Sequence, residues 1–437
     1  MELLHLPGQL SHVSAIRGRI AHITSTAPLT WEYYADGILV IEDGHISDLG
    51  PAERLFGDGL EPAACEQVHG LLLPGFVDTH VHSPQIDVIG SYGEQLLEWL
   101  ERYTFPAEAA YVDEAYAAAA ADVFLAALLQ QGTTSASIYT TIHRQATDEV
   151  FAAANRRNMR LLAGKVLMDR NAPQNLSDTA VGGVEDSRKL IEKWHGTGRL
   201  GYAVTPRFAV TSTASQLQAA GELHRDYPDT WVQTHLSENH AEIAMVAKLF
   251  PEAEGYLDVY DRFGLLTDRA IFGHCLHLSR DEIARMADAG GKVAFCPSSN
   301  LFLGSGLIDL AGLEAAGIDV ALASDVGGGT SLSMLRTMGD AYKVCRMAGQ
   351  TLSPMHALAL ATLRAAEALH LEPYLGNFVT GKEADVICLN ARPGSLLERR
   401  LAQIESIEEE IFLYMTMDDE ACVTRTWVMG DIAWEAH

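Results

Sequence analysis

The stretch Leu71-Leu72-Leu73-Pro74-Gly75-Phe76-Val77-Asp78-Thr79-His80-Val81-His82 sets the reading of the whole chain. Its apolar, non-alternating run over Leu71–Asp78 is the pattern of a strand buried on both faces, as in a parallel sheet. The run ends on polar residues. His80 and His82 stand at i and i+2, so on an extended chain they share one face and both imidazoles reach one point. Taken alone, two histidines on a strand are more often structural or exposed than metal-binding.

Runs of the same kind recur at Thr133–Tyr139, Arg160–Met168, Leu200–Thr205, Trp231–His235, Ala270–His274, Lys292–Phe295 and Asp319–Ala323, making eight with the first. Helical patterns such as Tyr111–Gln131, Ala214–Tyr227 and Ser279–Ala289 follow them. Eight strand–helix units predict an α/β fold, a (β/α)8 TIM-type barrel over residues 71–374. An open doubly wound sheet is the alternative, weakened because no G-x-G-x-x-G opens the first unit. The two ends read differently. Ser14–Thr24, Gly37–Glu42 and His45–Leu49, with a turn at Asp43-Gly44, look like short strands. So do Asp385–Leu389, Glu410–Tyr414, Cys422–Met429 and Ile432–Trp434, with a tight turn at Gly430-Asp431. The expectation is a small β-sandwich-like domain from residues 1–70 and 375–437.

The 437 residues suit such a barrel, typically about 250 residues, with an appendage. Composition is 48% hydrophobic and 20% charged, which supports a large soluble core. No apolar run approaches the ~18 residues of a membrane span. Met1–Leu10 has no basic region followed by an apolar stretch, so no secretory signal is expected and the cytoplasm is the default. The six cysteines form no C-x-x-C pair and read as reduced thiols. A net charge of −27 repels phosphate backbones and anionic lipids, which argues against a nucleic-acid polymer or a membrane as partner. The same charge is equally well explained by solubility alone.

His80, His82, His235, Glu238, His274 and Asp325 all fall at or just past the C-terminal ends of predicted strands, the edge where barrel enzymes gather their chemistry. Glu238 lies three residues beyond His235, so it must sit in the loop to face the same way; its other reading is an acid near a helix start. His274 reads equally as a buried, hydrogen-bonded histidine. Asp325 is the strongest single candidate, because a carboxylate after an apolar strand is costly unless paired or metal-bound. Three histidines and an aspartate make a plausible open zinc site, with no thiol placed to join it. Such a site supplies hydroxide at neutral pH, and a nearby glutamate can move protons.

Pro74–His82, His235-Leu236-Ser237-Glu238, Gly273-His274-Cys275 and Ser324-Asp325 together resemble the amidohydrolase superfamily, in its mononuclear deaminase branch. Gly381-Lys382-Glu383-Ala384-Asp385 is similar to that family's return into its small β domain. Four further stretches resemble the guanine deaminase family: His82-Ser83-Pro84-Gln85, Leu96–Glu108 (LLEWLERYTFPAE), Thr205-Pro206-Arg207-Phe208, and His235 through Asn239. The resemblance implies one Zn2+ per chain on His80, His82, His235 and Asp325. It implies that Glu238 carries a proton from the zinc-bound water to the ring. His274 would polarise that water and Asp325 would orient it and accept its proton. Guanine would become xanthine and ammonia, a step of purine catabolism. Arg207 and Gln85 would grip the polar edge of the base, with Phe208 and Trp99 as stacking surface, and His82, His235, Glu238 and Asp325 would also touch it. A homodimer is implied by analogy with the family. Without the resemblance, Trp99 and Phe208 read as core packing and Arg207 as a surface ion pair.

The rival on the same metal set is deamination of another aminated heterocycle (a pterin, 8-oxoguanine or a triazine) or cyclic amide hydrolysis. The nucleic-acid-editing zinc deaminases need P-C-x-x-C and are set aside. A barrel that has lost its chemistry is disfavoured because all six polar residues are present. Phe295-Cys296-Pro297 stands where related deaminases often carry His-Cys-Pro. Lys165 begins no motif and reads as structural.

Overall fold

The structure is a computed structural model that describes residues 13–60, 65–92, 95–417 and 422–436; the Met1–Leu10 stretch read for a leader lies outside them. Strands β1 (Val13–Thr26), β2 (Leu29–Glu42) and β3 (His45–Pro51) run antiparallel, and β4 (Cys65–Pro74) lies parallel to β1. Asp43 and Gly44 have φ of 49° and 81°, the paired positive values of a two-residue hairpin loop.

The chain then lays down β5 (Phe76–His82), β6 (Thr133–Tyr139), β7 (Arg160–Gly164), the two-residue β8 (Val166–Leu167), β9 (Leu200–Pro206), β10 (Trp231–Leu236), β11 (Ala270–His274), β12 (Lys292–Phe295) and β13 (Val320–Leu322). Apart from β8, which pairs β9, these form a parallel run in chain order from β5 to β13. The two ends of the run meet. The Asp325 N–H donates to the His80 carbonyl at 2.9 Å, and the His82 N–H donates to the Val326 carbonyl at 3.0 Å. Thr79 Oγ1 donates to the Leu322 carbonyl at 2.9 Å. The fold is therefore the expected TIM-type barrel, not an open sheet. Inside it, Gln233 takes a hydrogen bond from Ser137 Oγ (2.7 Å) and gives two from its amide nitrogen, both 2.9 Å, to Ile138 O and Thr205 Oγ1. That satisfies a buried amide which would otherwise be costly.

β14 (Val386–Leu389), β15 (Val423–Val428) and β16 (Asp431–Glu435) return beside β4 and complete one sheet, in the order β16-β15-β14-β4-β1-β2-β3.

The structure differs from the sequence reading in four places. Leu71–Asp78 is two strands: Pro74 ends β4, which pairs with β14, and Phe76 opens the first barrel strand. Arg160–Met168 is interrupted at Lys165, whose buried ammonium pairs with Asp178. Glu410–Tyr414 lies in a helix, Ile407–Thr416. Ser406 caps it through the Glu409 N–H, and Glu408, Glu409 and Glu410 fill the first turn, where the helix dipole favours acids. The last hairpin turns one residue early, at Met429 and Gly430 with φ of 52° and 79°.

Candidate active site

The polar residues at the strand ends converge. His80 Nε2 and His82 Nε2 lie 3.2 Å apart, as do His82 Nε2 and His235 Nε2. Asp325 Oδ1 is 3.2 Å from His80 Nε2 and 3.3 Å from His82 Nε2. Ligands about 2.0–2.1 Å from a tetrahedral zinc stand about 3.3 Å from each other, so these separations fit such an ion. Burial lowers all three imidazoles, His82 to about 3 and His235 well below the usual histidine range. Burial raises Asp325, but its contacts to His80 and His82 outweigh that and hold it well below the carboxylate range. His235 Nδ1 donates to the Arg207 carbonyl at 2.7 Å, which leaves its Nε2 with a lone pair. Neutral imidazoles and one carboxylate facing a single point fit a divalent cation.

Local backbone explains the convergence. His80 and His82 alternate on β5 as expected. Ser237 has φ of 50°, which breaks strand alternation after β10 and lets Glu238 join the side of His235. Asn239 is the N-cap of the following helix, with Glu242 closing a capping box, so Glu238 is free of that duty. His274 and Asp325 also have positive φ, 71° and 48°, the strained backbone that functional sites accumulate. Gly273 gives His80 its room: a Cβ there would meet His80 Cε1 at 2.7 Å. Purified Gly273→Ala is therefore expected to carry well under half the metal found in the parent. Full loading would show that the ring can give way.

Glu238 is buried, and its carboxyl is pushed up to about 8 by burial, with the Asp325 charge adding. Ser305 Oγ donates to its Oε1 at 3.0 Å. His274 Nδ1 pairs with Asn300 Oδ1 at 2.8 Å, so its Nε2 carries the lone pair. That atom is buried without a hydrogen-bond partner among the described residues, 3.4 Å from Glu238 Oε2 and 3.7 Å from Asp325 Oδ2. It is placed to take a hydrogen bond from a water beside both carboxylates.

A cavity of about 390 Å³, open mouth included, adjoins the cluster. Its walls include His82, His235, Glu238, His274 and Asp325, together with Gln85, Arg207, Trp99 and Phe208. The stretch Leu96–Glu108 forms successive helical turns, and Leu96, Trp99 and Leu100 from it line the cavity. Arg207 is no surface ion pair: it is 2% exposed and Nη1 donates to both oxygens of Glu108, at 2.7 and 2.9 Å.

Five residues of this neighbourhood carried no site role in the sequence reading. Glu108 closed a quoted stretch without a role of its own. Asn300 and Ser305 lie in loops and helix starts with no periodic signal. Tyr139 packs its ring 4.4 Å from that of His80 and 4.7 Å from that of His82. Cys296 corrects the expectation that no thiol is placed to join: its sulfur falls within 4.8 Å of ligand atoms of His80, His274 and Asp325. Burial holds that thiol well above its usual range, so the histidine-rich set with His82 and His235 is the better ligand group.

Fold and site define a barrel hydrolase with a metal-type ligand set. The family model described as "Amidohydrolase family" matches residues 71–433. The chain is 43% identical over 432 residues to the guanine deaminase of Escherichia coli (strain K12), covering 97% of this chain and 98% of that one. The solved structure of E. coli guanine deaminase superimposes with a TM-score of 0.94 at 42% identity, over 97% of this chain and all (100%) of that one. Guanine deaminase from C. acetobutylicum, solved with guanine bound in its active site, gives 0.88 at 26% identity, with coverage of 97% and 100%. The chain belongs to the amidohydrolase family and, within it, to the guanine deaminases.

Proposed function

We propose that this enzyme hydrolyses guanine to xanthine and ammonia, using one zinc ion held by His80, His82, His235 and Asp325. The observation that carries the reading is the cavity, whose lining joins Glu238 and the ligand cluster to Arg207, Gln85, Trp99 and Phe208. Zinc held by such a set would lower the pKa of a bound water to about 7 and so supply a nucleophile at neutral pH. Glu238 takes a proton from the water and gives it to the ring nitrogen next to the reacting carbon; its raised carboxyl suits both directions of transfer. His274 Nε2 accepts a hydrogen bond from the water and so aims it. Asp325 would take the remaining hydroxyl proton as the carbonyl forms, and that proton passes to the amino group, which leaves as ammonia. Arg207 and Gln85 hold the polar edge of the base, and Phe208 and Trp99 cover its faces. The product feeds purine breakdown, and the setting is the cytoplasm. The net charge of −27 keeps polyanions away. No helix among the described residues is long and apolar enough to cross a membrane.

The test is ultraviolet detection of guanine loss and xanthine gain. Turnover is expected, abolished by a chelator and restored by zinc. No turnover of guanine, with turnover of isoxanthopterin or 8-oxoguanine, would overturn the substrate.

A further inference from the structure

We infer that Glu108, which touches neither the cavity nor the ligand cluster, sets the preference for a 6-oxo over a 6-amino purine by fixing Arg207 and Gln85 as hydrogen-bond donors. The inference rests on guanine deamination as the reaction.

Glu108 is fully buried on the short helix Phe105–Ala109. Both of its oxygens accept from Arg207 Nη1, and Oε1 also accepts from Gln85 Nε2 at 3.3 Å. On the other side of the Gln85 amide, its Oε1 accepts from the Gly327 N–H at 3.0 Å. The amide is therefore oriented from both ends. Its oxygen is held by backbone and its nitrogen is drawn to the carboxylate. A carboxylate is an acceptor only, so a reversed amide would turn its oxygen toward another acceptor. Arg207 contributes only donors in any state, and its Nε and Nη2 make no hydrogen bond to the described protein. Both side chains line the cavity, so they offer it N–H groups, while the Gln85 oxygen is engaged by the Gly327 N–H.

A 6-oxo purine presents acceptors there, O6 and N7. A 6-amino purine presents a donor in place of O6. Its N–H would face N–H in a buried site and find no partner, a loss that sites built on hydrogen bonding translate into large discrimination. Glu108 acts only through its two neighbours, which makes it a positioning residue. Shape alone would not produce this selectivity, because oxygen and an amino group differ little in size.

The test compares guanine with 2,6-diaminopurine, which keeps the reacting 2-amino group and changes only position 6. In Glu108→Gln the carboxamide can donate as well as accept, so only the Gly327 N–H still favours the present orientation, and the Gln85 amide can reverse and offer its oxygen. With the zinc-loaded enzyme, kcat/KM for guanine should fall at least ~100-fold and that for 2,6-diaminopurine less than ~10-fold. The ratio then narrows at least tenfold, with metal content unchanged. Equal losses on both substrates, or no loss on either, would overturn the inference. Should Glu108→Gln not fold, Glu108→Asp keeps the charge but draws it back by one methylene. Inhibition by hypoxanthine should then weaken at least tenfold while that by adenine holds; parallel changes would again overturn it. A parent enzyme that releases no ammonia from guanine would instead remove the reaction on which the inference rests.

Discussion

Glu238→Gln is expected to lower turnover of guanine by about 10² to 10⁴ while leaving bound metal near one equivalent. The substitution keeps the shape of the side chain. Ser305 Oγ can still donate to the amide oxygen at the place where it now meets Oε1, 3.0 Å away. None of the four converging ligand atoms belongs to Glu238, so a cation held by them would keep its set. What is lost is the ability to take a proton at one moment and give it at the next, which an amide lacks at any working pH. Burial has raised this carboxyl to about 8, far from an ordinary glutamate, which suits a group that both takes and gives a proton near neutral pH. The measurement pairs kcat from the ultraviolet change with metal content of the same preparation. Near-parent turnover in a metal-loaded variant would remove Glu238 from the proton path. Loss of metal together with activity would show that it supports the ligand cluster instead.

The metal-type cluster was legible because barrel strands carry two independent signals. Their apolar runs say where each strand stops, and the polar residue just beyond says which side chain the rim receives. Asp325 after Val320–Ser324 and His274 after Ala270–Gly273 are examples. The same logic misjudged Leu71–Asp78. A buried strand of the small sheet and a buried strand of the barrel share one composition, and only Pro74-Gly75 marks the crossing. It failed also at Glu410–Tyr414, where a short apolar run gives no period and the deciding features, the Ser406 cap and the acids Glu408 and Glu409, lie before it. Glu108, Asn300 and Ser305 are harder still. Each acts on a residue distant in sequence, Glu108 on Arg207 and Ser305 on Glu238, and no local pattern encodes such a pairing.

Arg199→Met is expected to cost about 3–5 kcal/mol of stability and to leave kcat of the folded fraction unchanged. Arg199 precedes β9, at the barrel end opposite the ligand cluster. Its Nη2 donates to Glu383 Oε2 at 2.6 Å and to Asp385 Oδ2 at 2.7 Å, and its Nη1 donates to the Asn158 carbonyl at 2.6 Å. Glu383 and Asp385 lie in the segment that leads into β14, so one buried guanidinium ties the barrel to the returning strands. Glu383 keeps Arg160, whose Nε lies 2.8 Å from its Oε2, and Asp385 keeps the Met429 N–H at 3.0 Å. Two carboxylates nevertheless remain buried with one cation between them. Breaking a buried pair from one side leaves that uncompensated charge, which is why the loss exceeds that of a surface bridge. The pH dependence has a definite sign. Burial raises the Glu383 carboxyl, but Arg160 and Arg199 outweigh it and hold it below its ordinary 4.5. A depressed carboxylate stabilises the fold above its unfolded value and loses that contribution as pH falls through the folded one. The gap between parent and variant should accordingly be full at neutral pH and narrow below pH 4.5. Urea denaturation at neutral pH and near pH 4 measures it. A constant gap would mean that Arg199 contributes by packing its stem rather than by its charge. A loss of kcat in folded protein would mean that this end of the barrel reaches the chemistry at the other.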